Sequence, residues 1–186
     1  MLVAIAEGGR ERLAAAVFSV ALATMFGTSA LYHRLDWRPA ARRWLRRLDH
    51  AAIYVLIAGT YTPFGLLALS GAWRWTILGV VWAGAAAAIV VKLAWVDSPK
   101  WVAASIAIAL GWLGVAIIPQ VLDEIGAAGL LLLGAGGVSY TVGALVYAFR
   151  RPDPVPDVFG YHELFHALVI AAAACQYAAV ALLVTR

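Results

Sequence analysis

One cysteine, Cys175, is present, so the chain has no internal disulfide and no thiol pair for redox chemistry. Charge is scarce as well: 13% of the 186 residues are Asp, Glu, Lys or Arg, where a soluble domain carries about a quarter. Ten residues are acidic, and none stands mid-way along a long apolar run; this removes the mid-membrane carboxylates that a proton-linked transporter uses. The last apolar run holds no lysine, and Lys92 and Lys100 stand near the ends of others, so a Schiff-base retinal site has no anchor. No basic residue precedes the first apolar residues and no cleavage site follows a long run, so a signal peptide is not expected there. The first membrane helix is expected to act as its own insertion signal. Repeats and low-complexity segments are missing too.

What is present is apolar: 64% of the residues are hydrophobic, too many for one soluble core and matched to lipid as solvent. Six runs approach the ~20 apolar residues that cross a bilayer: 13–32, 51–69, 73–94, 101–119, 127–147 and 164–184. Open strands would leave backbone groups unpaired in hydrocarbon, so these runs predict helices, and the fold class is all-α integral membrane, a single polytopic bundle over residues 1–186. Trp73, Trp75, Trp101 and Tyr147 lie near run ends, where an aromatic belt is expected. Pro63 predicts a kink in the second span, and Gly134, Gly136 and Gly137 predict close approach by a neighbouring helix. Residues 38–47, with Pro39, Trp44 and several arginines, read equally as a short interfacial helix on anionic headgroups or as a topology anchor. Pro152, Pro154 and Pro156 make the connection before the last span stiff.

Loop charge sets orientation. Six arginines follow the first span; with Lys92, Lys100, Arg150 and Arg151, alternate loops hold ten basic residues against four on the other side. The basic side is expected to face the cytoplasm, and both present termini the opposite side. The net charge of +4 is thereby a matter of membrane orientation and does not point to nucleic acid.

All four histidines fall within or beside three span ends on that basic side: His33 after the first span, His50 at the second, His162 and His166 at the sixth. His162 and His166 are four apart, so they share a helix face and can grip one Zn²⁺; His33 supplies a third nitrogen from another helix. Three neutral imidazoles leave a fourth position for water, whose pKa zinc lowers towards about 7. Asp49 then suits the general base, and Ser29, one turn from His33, suits a residue that orients Asp49 or a substrate carbonyl. His50 lies about 100° round the helix from Asp49 and is placed at the periphery. Asp49 also reads as a salt-bridge partner of Arg46 or Arg47, and Ser29 as an ordinary backbone-bonded serine. Tyr54, Thr60, Tyr61, Thr62 and Tyr140 either line a polar interior or bond between helices; Tyr54 lies closest to the site. Cys175 is too deep to share the metal. Residues 162–166 also spell H-E-x-x-H, the zinc-protease pattern with Glu163 as base. No His, Asp or Glu follows His166, which disfavours that chemistry. Two histidines on one face disfavour a bis-histidine haem, whose ligands sit on opposite sides of the ring.

These residues resemble the hemolysin III family, bacterial relatives of the progestin and adipoQ receptors, among them the adiponectin receptors. The likeness covers nearly the whole chain. It rests on the run from Ser29 to Arg34 (SALYHR), on Leu48 to Tyr54 (LDHAAIY) leading into Ala58 to Phe64 (AGTYTPF), and on His162 to His166 (HELFH). The resemblance implies a seven-helix bundle with a cytoplasmic N-terminus in a bacterial inner membrane. It implies zinc on His33, His162 and His166, Asp49 on the zinc-bound water and Ser29 nearby. Members of the wider superfamily, alkaline ceramidases included, are regarded as hydrolases of lipid amides or esters; the bacterial branch is named for haemolysis and pore formation and is linked to membrane-lipid homeostasis. The chain departs in its span count: six, with Met1–Ala6 resembling the tail of the family's first helix. The expected function is hydrolysis of a membrane-lipid amide or ester by zinc-activated water, with membrane lipids as partners. The alternative is a pore former with structural zinc.

Overall fold

A computed structural model describes every residue except Asp157. The described residues form seven α-helices and a 3-10 turn: α1 (Leu2–Ile5), α2 (Gly9–Arg34), α3 (Pro39–Leu67), α4 (Gly71–Ala94), α5 (Lys100–Trp112), the 3-10 turn Leu113–Ile117, α6 (Ile118–Phe149) and α7 (Tyr161–Val184). Pairing of extended backbone is confined, among them, to an isolated bridge between Val155 and Phe159. Five helical stretches are long and apolar enough to cross a membrane, the fourth being the 50 residues Lys100–Phe149. Surface composition agrees, since all eight tryptophans lie on the outside, the least exposed at 36%. Large aromatics fill cores in water; here they face outward because the surroundings are apolar. The protein is an all-α, multi-pass membrane protein.

The 50-residue stretch is not straight. At Gly126 the backbone takes φ 66° and ψ −178°, a region essentially reserved for glycine. There the chain reverses: Trp112 Nε1, fourteen residues before Gly126, donates to Thr141 Oγ1, fifteen after it, at 3.0 Å. The stretch is therefore a hairpin of two helices.

Helix α3 is the hub. Its most apolar segment is 61% buried, against 28% to 39% for α2, α4 and α7. Gly59 lets α2 close on it, since a Cβ there would land on the Cβ of Ala21. Tyr61 reaches across to α5, its hydroxyl 2.6 Å from the carbonyl of Gly111. Trp82 of α4 donates to Thr62 at 3.2 Å. Helix α3 continues through Pro63 as one element and starts at Pro39, where a missing N–H costs nothing. The basic segment 38–47 is thus the first turns of α3 rather than a separate interfacial helix. Of the three glycines expected to admit a neighbour in α6, Gly136 alone does so: a Cβ there would meet Gln176 at 2.7 Å and the Ala172 carbonyl at 3.2 Å, whereas Gly134 and Gly137 have open space beside them.

The alternation of these helices returns one end of each to the same side. The C-terminal ends of α2, α4 and α6 and the N-terminal ends of α3, α5 and α7 meet there, as the bonds below show.

Candidate metal centre

Helix α7 starts at Tyr161, after the N-cap residue Gly160, because two carboxylates cap it. The Gly160 N–H donates to Glu163 Oε2 at 3.0 Å, and the Tyr161 N–H to Asp153 Oδ1 at 2.7 Å. With the first turn fixed, His162 and His166 project to one side, their Nε2 atoms 3.2 Å apart. His33, in the last turn of α2, closes on both, with ring centroids 5.0 Å from His162 and 5.2 Å from His166. One nitrogen from each of the three lies within 4.8 Å of the others.

This donor set fits zinc. Two nitrogens bound tetrahedrally at about 2.0–2.1 Å lie roughly 3.3 Å apart, close to the His162–His166 separation. Imidazole is a preferred zinc ligand, and three of them leave an open position.

Asp49 of α3 faces this cluster, Oδ2 3.9 Å from His33 Nε2, and is half-buried. Ser29 lines the same cavity beside the Asp49 carboxyl. The alternative pairing of Asp49 with Arg46 or Arg47 is not formed among the described residues; Arg46 reaches Asp97 Oδ1 at 2.7 Å instead. His50 turns away: Nδ1 lies 2.6 Å from the Arg46 carbonyl and Nε2 3.2 Å from the Tyr147 hydroxyl. Both of its nitrogens are engaged, so it is no fourth ligand in this arrangement. Glu163 is exposed and spent on the helix cap, which leaves the protease-type use of H-E-x-x-H without its base. Cys175 is unpaired and packs beside Gly136.

The cluster opens into a cavity of about 740 Å³. Its wall runs from Ser29 and His166 at one end to Phe64, Val121 and Gln176 at the other. Along α3 the lining extends from Arg46 to Phe64, about 27 Å at 1.5 Å per residue, nearly the ~30 Å of a hydrocarbon core. The lining is mostly apolar. Tyr54 belongs to it, with its hydroxyl 3.4 Å from the Ala103 carbonyl. Thr60 lines it too but bonds back to Leu56 at 2.8 Å. Tyr61 and Thr62 mainly tie helices together. The Tyr140 hydroxyl and Gln176 Oε1 are buried without a hydrogen-bond partner.

Sequence reasoning missed four wall residues. Tyr147, expected in the aromatic belt, stands instead against His162, with ring centroids 6.0 Å apart. Arg46, Lys92 and Lys100 were given no place in the site by the sequence, Arg46 figuring as a loop charge or a salt-bridge partner of Asp49, yet all three line the cavity. Their spacing in the sequence carries no signal, because they come from three different helices.

The profile of a family described as "Haemolysin-III related" matches residues 1–177. A "Hemolysin-3 homolog" of Bacillus subtilis (strain 168) is 32% identical over 161 residues, covering 87% of this chain and 72% of the relative. A "Hemolysin-3" of Bacillus cereus is 33% identical over 163 residues, covering 87% and 70%.

Proposed function

As the chain belongs to the haemolysin-III related family, we propose that it is a zinc-dependent hydrolase of membrane-lipid amide or ester bonds that serves membrane-lipid homeostasis from the cytoplasmic leaflet of a bacterial inner membrane. The observation that supports this reading is three converging histidines and a carboxylate at the mouth of a long apolar cavity.

His33, His162 and His166 would hold the metal. When bound, zinc supplies Lewis acidity that polarises a carbonyl and acidifies water. Asp49 accepts the proton from the attacking water and returns it to the leaving amine or alcohol, as a general base and then acid. Half-burial beside an apolar wall keeps that carboxyl from being swamped by bulk water. Ser29 orients the Asp49 carboxyl. The cavity takes the acyl chain and excludes solvent from it, which fixes the scissile carbonyl at the cavity mouth. The C-terminal end of α7, by the same orientation, lies outside the cytoplasm.

A pore former with structural zinc would call for a fourth protein ligand. His50 is engaged with Arg46 and Tyr147, so the fourth ligand would have to be Asp49, whose Oδ2 stands 3.9 Å from His33 Nε2; zinc content in an Asp49→Asn variant separates the two readings.

The test is metal analysis of the purified protein together with turnover of a lipid-amide and lipid-ester panel. Near-stoichiometric zinc with release of a fatty acid supports the assignment. A metal-free protein, or a zinc-replete one inert on the whole panel, refutes it.

A further inference from the structure

Arg46, Lys92 and Lys100 bring three cations to the cavity wall, where Asp49 is the one lining carboxylate among the described residues. Arg46 is neutralised by Asp97. The two lysines form no ion pair among the described residues. Lys92 is 3% exposed, and its Nζ donates to Ser98 Oγ at 2.6 Å. Lys100 is half-buried; its Nζ donates to the Tyr161 hydroxyl at 2.8 Å and lies 4.3 Å and 4.5 Å from the ring centroids of Tyr147 and Tyr161. An ammonium has three donors, and each of these uses one on a neutral oxygen. Burying a cation without an anion is costly, and in a membrane protein such a residue marks a place where an anion or substrate sits.

Their position says which anion. The Tyr147 and Tyr161 rings that flank Lys100 also flank His162, at 6.0 Å and 6.2 Å between centroids. Lys100 therefore stands beside the histidine cluster, and Lys92 lines the same cavity, while the rest of the wall is apolar and long enough for an acyl chain. We propose that Lys92 and Lys100 bind the phosphate of an anionic lipid whose chain fills the cavity, so that the substrates of the site carry a phosphate headgroup; its catalytic consequence rests on the hydrolase reading above, its binding does not. Phosphate suits two ammonium groups because it spreads up to two charges over several acceptor oxygens. A soluble anion would leave the apolar length of the cavity without a role.

The experiment is calorimetric titration of the full chain in a neutral detergent with dodecyl phosphate, dodecanol and inorganic phosphate. It is repeated in the His166→Ala background, where the histidine set is broken and zinc cannot supply the attraction. Dodecyl phosphate is expected to bind at least about tenfold tighter than dodecanol, the scale of one charge-assisted hydrogen bond. Lys92→Met with Lys100→Met should bring that ratio close to one while dodecanol binding stays; the corresponding double Arg variant should keep the preference. Should the double Met variant not fold, Lys100→Met alone, at its half-buried site, is expected to cut the ratio several-fold. A wild-type ratio near one, or the same ratio in the Met variants, overturns the assignment. Inorganic phosphate binding as tightly as dodecyl phosphate overturns it too, by giving the lysines to a soluble ion. No turnover is read, so this result stands apart from the zinc and hydrolase tests.

Discussion

His33, His162 and His166 each bring one nitrogen within 4.8 Å of the other two, so on the zinc reading removal of any one should act like removal of all. His166→Ala is expected to lower zinc content from near one per chain by at least tenfold, measured by atomic emission on the purified protein, and to abolish turnover with it. Asp49→Asn should keep the metal and lose about 10²–10⁴-fold in kcat, the usual contribution of a general base; loss of zinc in that variant would make Asp49 a ligand instead. Glu163→Gln separates this arrangement from a protease of the H-E-x-x-H kind. A Gln side chain still accepts from the Gly160 N–H, so the α7 cap survives. Zinc content and turnover should therefore remain within about twofold of wild type, whereas a base at Glu163 would cost about 10²-fold or more.

At the scale of elements, the hairpin within Lys100–Phe149 depends on one backbone geometry, at Gly126 inside α6. Gly126 has open space around its Cβ position, so an added methyl meets nothing. The cost of Gly126→Ala is purely that of forcing an L-residue to φ 66° and ψ −178°, about 1–3 kcal/mol. Thermal unfolding in detergent should show that loss, and the Trp112–Thr141 bond across the hairpin should weaken with it. Close approach works differently at Gly59, where the conformation is ordinary helix and the constraint is the Ala21 methyl opposite. A larger side chain there pushes α2, and His33 with it, away from α3.

At the scale of the whole molecule, the chain is a bundle with its chemistry at one end and its length filled by a cavity. Orientation can be read by thiol labelling in a Cys175→Ala background. Arg42→Cys and Arg151→Cys should react from the cytoplasmic side and Asp123→Cys from the other; labelling of 42 and 151 from opposite sides would break the convergence of the three histidines. The cavity makes a second expectation. Gly134 lines it with nothing within 4 Å of its Cβ position, so Gly134→Leu should fill its deep part without disturbing the metal. Chain-length preference should then move to shorter acyl groups, read as a rise in KM for long-chain substrates with zinc content unchanged.

Lipid as the solvent, helices as the element and the basic side of the chain were all legible from composition and period, because hydrocarbon tolerates no unpaired backbone and few charges. The pair His162 and His166 was legible for a local reason, since four residues is one helical turn. His33 followed because its span ends on the same side. Tertiary structure alone decided what each remaining charge does. Lys92 and Lys100 sit on separate helices, and their turning inward to the cavity depends on how α4 and α5 pack against α3; Arg46 found Asp97 rather than the nearer Asp49 for the same reason. The reversal at Gly126 and the duty of Glu163 as a cap likewise come from backbone geometry, and a list of residue types carries no record of it.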